Sequence, residues 1–188
     1  AAVINLNHEI GPDLVKVSPQ STVNFNAYPT VQAITYGHVV LSGTVEKRFQ
    51  GDTTIIMGNL TVGQNLALKG SPGNASHVRL GGALTLKGAR PLTAADNAID
   101  VAFIGTTAQT VTSESDLHLF RMISQSGQTI DVVNPAATPI TIHLGSLKGG
   151  GLLLANGSVL NINNNHLTLS NAGVVNPGET TGRLSVAG

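Results

Sequence analysis

Six histidines, His8, His38, His77, His118, His143 and His166, are the side chains of this 188-residue chain best suited to bind a metal or move a proton. None stands in an HxH, HxxxH or HExxH spacing, and with no cysteine a zinc set lacks its usual thiolates. Residues far apart in sequence can still meet if the chain coils on itself. The bland expectation is that these histidines sit singly on surfaces and turns. Acids offer two small groupings: Asp96 with Asp100 beside a loop, and Glu114 with Asp116, a pair that could join carbonyls around calcium. The nonapeptide calcium roll GGxGxDxUx is absent, because KGGGLLLANG (148–157) has the glycines without the aspartate. Two carboxylates placed for glycoside hydrolysis are not legible, nor is a G-x-S-x-G elbow for a serine nucleophile. Solvated turns are the simpler account of the acids, so the chain is expected not to be an enzyme and to carry no catalytic, cofactor or metal residues.

Composition narrows the classes further. Lys+Arg and Asp+Glu are ten each, for a net charge of zero; aromatic residues are 3% and charged residues 11%. There is no basic stripe and little to stack on bases, which argues against nucleic acid as a partner. No apolar run reaches roughly 18 residues, so no membrane insertion by a helix is expected. The start, AAVINLNHEIGPDL, lacks the basic-then-apolar order of a signal peptide and reads as a mature start or a cut through a longer chain. Without cysteine, stability must come from packing rather than disulfides. The Asn-x-Ser/Thr triplets at Asn59, Asn74 and Asn156 are what so Asn/Thr/Ser-rich a chain produces by chance. Thr106, Thr107, Thr110 and Thr112 cluster, but a Thr-x-Thr ladder in every coil, as ice binding would need, is missing. They are expected at outward strand positions. Lys69, Lys87 and Lys148 precede turn glycines and read as solubilising charge rather than a glycan ridge.

What must position these residues is a chain of very short strands. Residues 60–89 break into hexads, LTVGQN, LALKGS, PGNASH, VRLGGA and LTLKGA, most opening on an apolar-x-apolar pair and carrying a glycine. The same pair recurs as Val15/Val17, Val23/Phe25, Val39/Leu41, Ile55/Met57, Ile99/Val101, Phe120/Met122, Ile130/Val132, Ile140/Ile142, Leu152/Leu154, Leu160/Ile162 and Leu167/Leu169. An i, i+2 pair is the smallest sign of a strand with one buried face. Strands of about three to five residues are too short for a sandwich but suit a coil whose next turn supplies the hydrogen bonds. The sequence therefore predicts an all-β chain: a parallel β-helix, or β-solenoid, of short strands, right-handed, with two related units. LTAADNAIDV (92–101) is the best helical segment, and VEKRFQGDTT (45–54) reads as a charged loop with a task of its own.

A longer repeat lies over the short one. In STVNFNAYPTVQAI (21–34) and IDVAFIGTTAQTV (99–111), Val23 answers Val101, Phe25 answers Phe103, Gln32 answers Gln109 and Ile34 answers Val111. This divides the chain into a lead-in or cap (1–20), a first solenoid unit (21–98), a second (99–175) and a tail or link to a next coil (176–188). The phrases "VNFNAYPTVQAI" with "GNLTVGQNLALKG", and "VAFIGTTAQTV" with "LLLANGSVLNINNNHLTLSNAG", resemble repeat regions of large cell-surface and secreted proteins of the Bacteroidetes type, across most of residues 20–175. The resemblance implies a β-solenoid stalk of an adhesin-like protein, often exported by the type IX system, and it brings no catalytic residues. The first copy departs from the pattern, with Asn26 and Ala27 where a glycine follows the phenylalanine.

Together these features lead us to expect a non-enzymatic structural or adhesive segment, extracellular or at the cell surface, acting as stalk, adhesin body or filament subunit. Its partners would be itself, end to end, or surface glycans. The polar stretches NHEIGPD and NPGETTGR would then blunt the two ends as caps. A glycan- or partner-binding module on a β-helix is the alternative, and a polysaccharide-active enzyme the more remote one.

Overall fold

The computed structural model describes residues 1–8, 17–43, 46–64, 66, 68–70, 76–88, 99–106, 108–136, 138–145, 151–169, 174–176 and 183–185, the last two segments by backbone only. Its strands, β1–β22 in chain order, wind through three faces. A nine-stranded sheet holds β1 (Val3–Leu6), β2 (Thr22–Phe25), β5 (His38–Leu41), β8 (Leu60–Val62), β11 (Leu84–Leu86), β13 (Gln109–Ser113), β16 (Thr129–Val133), β19 (Val159–Asn161) and β22 (Arg183–Ser185). A seven-stranded sheet holds β4 (Thr35–Tyr36), β7 (Thr53–Ile56), β10 (Ser76–Leu80), β12 (Ile99–Phe103), β15 (Arg121–Ser124), β18 (Gly151–Leu154) and β21 (Val174–Asn176). The third face carries β3 (Thr30–Val31), β6 (Lys47–Phe49) and β9 (Leu68–Lys69), then β14 (Leu117–Leu119), β17 (Thr141–Leu144) and β20 (His166–Leu169). Among the described residues every strand pair is parallel and no helix occurs, so the chain is an all-β parallel solenoid. The 92–98 part of the expected helical segment lies outside the described residues; its end, from Ile99, is strand.

The apolar pairs become columns. On the nine-stranded face Val23, Val39, Leu60, Leu84, Val111 and Val132 follow one another in register. Phe25, Leu41, Val62 and Leu86 form the column beside it. Each of these side chains is buried, most of them completely. Fully burying a residue of this size contributes about 1.5–3 kcal/mol, so the stack of coils supplies the stability that disulfides would otherwise give. Corners need unusual backbone. Gly43 turns with φ +86°, and a Cβ there would lie 2.3 Å from the Asn26 carbonyl oxygen of the coil below; only glycine fits both demands.

Three expectations are corrected or filled out by the structure. Ile55/Met57 is not the buried pair: β7 turns Thr54 and Ile56 inward, leaving Ile55 half-exposed and Met57 51% exposed. Its register is set by the column Tyr36, Ile56, Leu80 and Phe103, which a one-residue slip would turn inside out. The charged stretch 45–54 is not a loop, because it contains β6 and the start of β7. Lys47 and Phe49 point into the core with no exposed surface, and Arg48 points out. Finally, Val23 and Phe25 lie on the nine-stranded face whereas Val101 and Phe103 lie on the seven-stranded one, so the two matching phrases follow different sides of the coil. Both long sheets run across residues 98–99 without interruption, through β10–β12 and β11–β13.

Candidate functional site

Outward residues at equal heights on neighbouring strands become side-chain neighbours, and two such groupings carry titratable chemistry. On the seven-stranded face His77, Asp100 and Arg121 share one column, because β10, β12 and β15 pair in register. The Asp100 carboxylate is almost wholly buried between the other two. Arg121 donates to it through Nε (3.1 Å) and Nη2 (2.8 Å), and His77 Nδ1 approaches Oδ2 at 2.7 Å. A carboxylate only accepts, so against it His77 Nδ1 is the donor. Arg121 also lies over the Phe120 ring, 5.1 Å from its centroid. The group ties three successive coils together. A charge-assisted, two-pronged pair of this kind is stronger than an exposed ion pair.

On the third face Leu117-His118-Leu119 and Ile142-His143-Leu144 pair residue for residue. Their apolar members are buried, so both imidazoles are directed outward, where they stack with centroids 4.2 Å apart and planes 10° from parallel. Asp116 stands beside them: Oδ1 accepts the Thr141 amide at 2.7 Å, and Oδ2 lies 3.9 Å from His143 Nε2. Burial lowers the pKa of His118, the charge of His143 lowers it further, and Asp116 opposes both.

The remaining sequence candidates do not converge. His8 is exposed beyond β1, and His166 stands on β20 at the height of Thr141, one column from the stacked pair. His38 does a backbone job: its Nδ1 accepts the Asn59 amide at 3.1 Å, and Asn59 Oδ1 in turn accepts the Ala83 amide at 2.9 Å. Glu114 and Asp116 do not share a ligand position. Glu114 reaches back to the Gly88 amide (2.9 Å), while Asp116 reaches forward to Thr141. Asp96 and Lys148 lie outside the described residues. Asp100 is the second residue of β12, and the stretch 89–98 before it lies outside the described residues. Among the described residues no three His, Asp or Glu side chains are placed to hold one metal ion. The stacked rings of His118 and His143 aim their lone pairs in parallel planes, not at a common point.

A third polar group, missed in the sequence, is internal. Gln109 is buried at the start of β13; its Nε2 donates to the Leu80 carbonyl (2.9 Å) and its Oε1 accepts the Gly105 amide (2.8 Å). Gln128, one coil on, donates to Gly105 O and to Gln109 Oε1. Gln109 gives the Leu80 carbonyl a second donor beside the Ile104 amide (2.8 Å), and Gln128 supplies a donor to the Gly105 carbonyl. On the third face Glu46 bridges Arg48 (2.7 Å) and Lys69 (2.8 Å), which holds its carboxyl below the usual range.

The fold and these groupings define the class: a parallel β-solenoid whose outer columns are short hydrogen-bonding ladders. Compared with family models, curated proteins and solved structures, the chain matches none at significant similarity.

Proposed function

We propose that the chain is a non-enzymatic structural or adhesive segment of a bacterial cell-surface or extracellular protein, serving as stalk, adhesin body or filament subunit. The observation that carries this reading is the nine-stranded sheet, which takes in strands from Val3 to Ser185 in one unbroken parallel order. At about 4.8 Å per strand it spans roughly 40 Å. In such a stack each coil rests on its neighbours, so reach grows simply by adding coils. The carboxylates Glu114, Asp116 and Asp100 are engaged in joining coils, which suits a mechanical part. The likeness of its repeat phrases to Bacteroidetes-type surface proteins supports an extracellular setting and export by the type IX route. A filament subunit would add β1 of one copy to β22 of the next, a head-to-tail contact that does not close on itself.

One observation favours a glycan-binding role beside this one. Thr61, Thr85 and Thr112 form an in-register outward column on the nine-stranded face, repeating hydroxyls at strand spacing. A polysaccharide lying along the rod would meet them in sequence. Negative-stain electron microscopy with a solution molar mass tests the main reading. Monodisperse short rods are the result expected of a stalk, and long uniform fibres of a filament subunit. Compact globules of the same mass would contradict both.

A further inference from the structure

The stacked imidazoles of His118 and His143 hold a chemical conflict that the rest of the fold does not relieve. Leu117, Leu119, Ile142 and Leu144 are buried, so neither strand can rotate to part the rings without emptying the core beneath them. At a centroid distance of 4.2 Å the two rings lie face to face, which suits uncharged imidazoles and opposes two imidazolium ions. The surrounding charges are few. From β14's own approach comes Asp116, whose Oδ1 is already bound to the Thr141 amide and whose Oδ2 faces His143 at 3.9 Å. Glu114 is turned away onto Gly88. On β20 the register partner of His143 is Thr168, which carries no charge, and His166 stands beside Thr141 as a third ionisable ring. On β15 Arg121 is committed to Asp100 on the adjoining face. Among the described residues a single carboxylate is therefore available to the pair of rings, and it faces one of them.

We propose that the stacked His118–His143 pair is an acid-responsive latch between β14 and β17. Uncharged, the rings close the third face over the core. Charged together, they part, and the β14–β17 ladder loosens while the two long sheets stay paired. The direction of the pH dependence follows from His118, which burial and its neighbour hold below the ordinary imidazole range. A histidine with a lowered folded pKa binds fewer protons in the native state than in the unfolded chain. Its contribution is complete above the unfolded value of about 6.5 and is lost as the pH falls below it. A rod whose third face opens in acid would expose two apolar strand interiors on demand, a property independent of what the rod carries.

The test is residue-resolved NMR titration of the whole chain, with amide exchange, between neutral pH and mild acid. The His118 midpoint is expected below that of a free histidine, to move up in His143→Gln and to move down in Asp116→Asn. Protection of the Leu117–Leu119 and Thr141–Leu144 amides, corrected for the intrinsic pH dependence of exchange, is expected to fall about tenfold or more through that titration. Protection in β2 and β5 should hold steady. A His118 midpoint indifferent to His143→Gln would overturn the latch. So would undiminished protection of β14 and β17 in the wild-type chain after His118 has titrated, a reading that needs no variant to fold.

Discussion

Lys47 enters the core through β6 with its whole side chain covered, and among the described residues its Nζ donates to one acceptor, the Asn26 carbonyl oxygen, at 2.7 Å. Burial alone lowers its pKa, since the charged form loses more hydration than one carbonyl restores. Replacing it by a flexible apolar residue of similar length removes that cost. Lys47→Met is expected to raise the thermal midpoint by about 2–4 °C, the shift that roughly 1 kcal/mol makes in a chain of this size. The sign of the pH dependence is fixed by the lowered pKa: the folded state prefers the neutral amine, so wild-type stability rises as pH climbs towards the unfolded value of about 10.4. That rise should flatten in the variant, and calorimetry across alkaline pH reads both effects. An unchanged or lower midpoint for Lys47→Met would mean the amine is better satisfied than its one bond implies. In sequence, VEKRF reads as solvated because lysine is so rarely fully buried, and nothing local marks Lys47 as the exception. His118 and His143 were legible in a weaker sense, because each sits between two apolar residues in an L-H-L or I-H-L phrase. Their meeting was not, since it depends on the length of the coil between them.

Strands are the scale at which the sequence was most informative, and β7 marks its limit. Apolar-x-apolar spacing identifies a strand and its buried face wherever a polar residue alternates with the pair, as in Leu60-Thr61-Val62 or Leu84-Thr85-Leu86. In Thr53–Met57 only the Ile55/Met57 phase is an apolar-x-apolar pair, yet β7 buries Thr54 and Ile56, so here the neighbouring coils override the pattern. Tyr36 below and Leu80 above select Ile56. Truncation separates the two phases: Ile56→Ala is expected to cost about 2–5 kcal/mol, the range for emptying a packed aliphatic site. Ile55→Ala, on the outer surface, should cost under about 1 kcal/mol. Equilibrium denaturation of the two variants measures the difference, and equal or inverted costs would refute the register. The His77–Asp100–Arg121 group was illegible for a related reason. Each residue precedes an inward one, Val78, Val101 and Met122, but the coils between them differ in length, so no fixed period links them.

At the scale of the molecule the account stands on coils stacked in parallel and in register, from which the continuous core, the side-chain ladders and the proposed stalk all follow. Short strands, abundant glycine and scarce charge made that class readable, because few other folds accommodate them together. Which outer residues would meet was not readable, because coil length varies along the chain. The chain has no cysteine, so engineered pairs report register without interference. Thr61 and Thr85 are partners on adjacent coils, and Thr112 follows Thr85 on the next. Neighbouring strands lie about 4.8 Å apart and alternate ones twice that, against a Cα separation of about 4.4–6.8 Å for a disulfide. Mild oxidation of the double variants Thr61→Cys/Thr85→Cys and Thr61→Cys/Thr112→Cys, read by mass spectrometry, is the most direct test. The account predicts an intramolecular disulfide in the first and none in the second. A disulfide in the second, or failure of the first while the protein remains folded, would contradict the stacked parallel register.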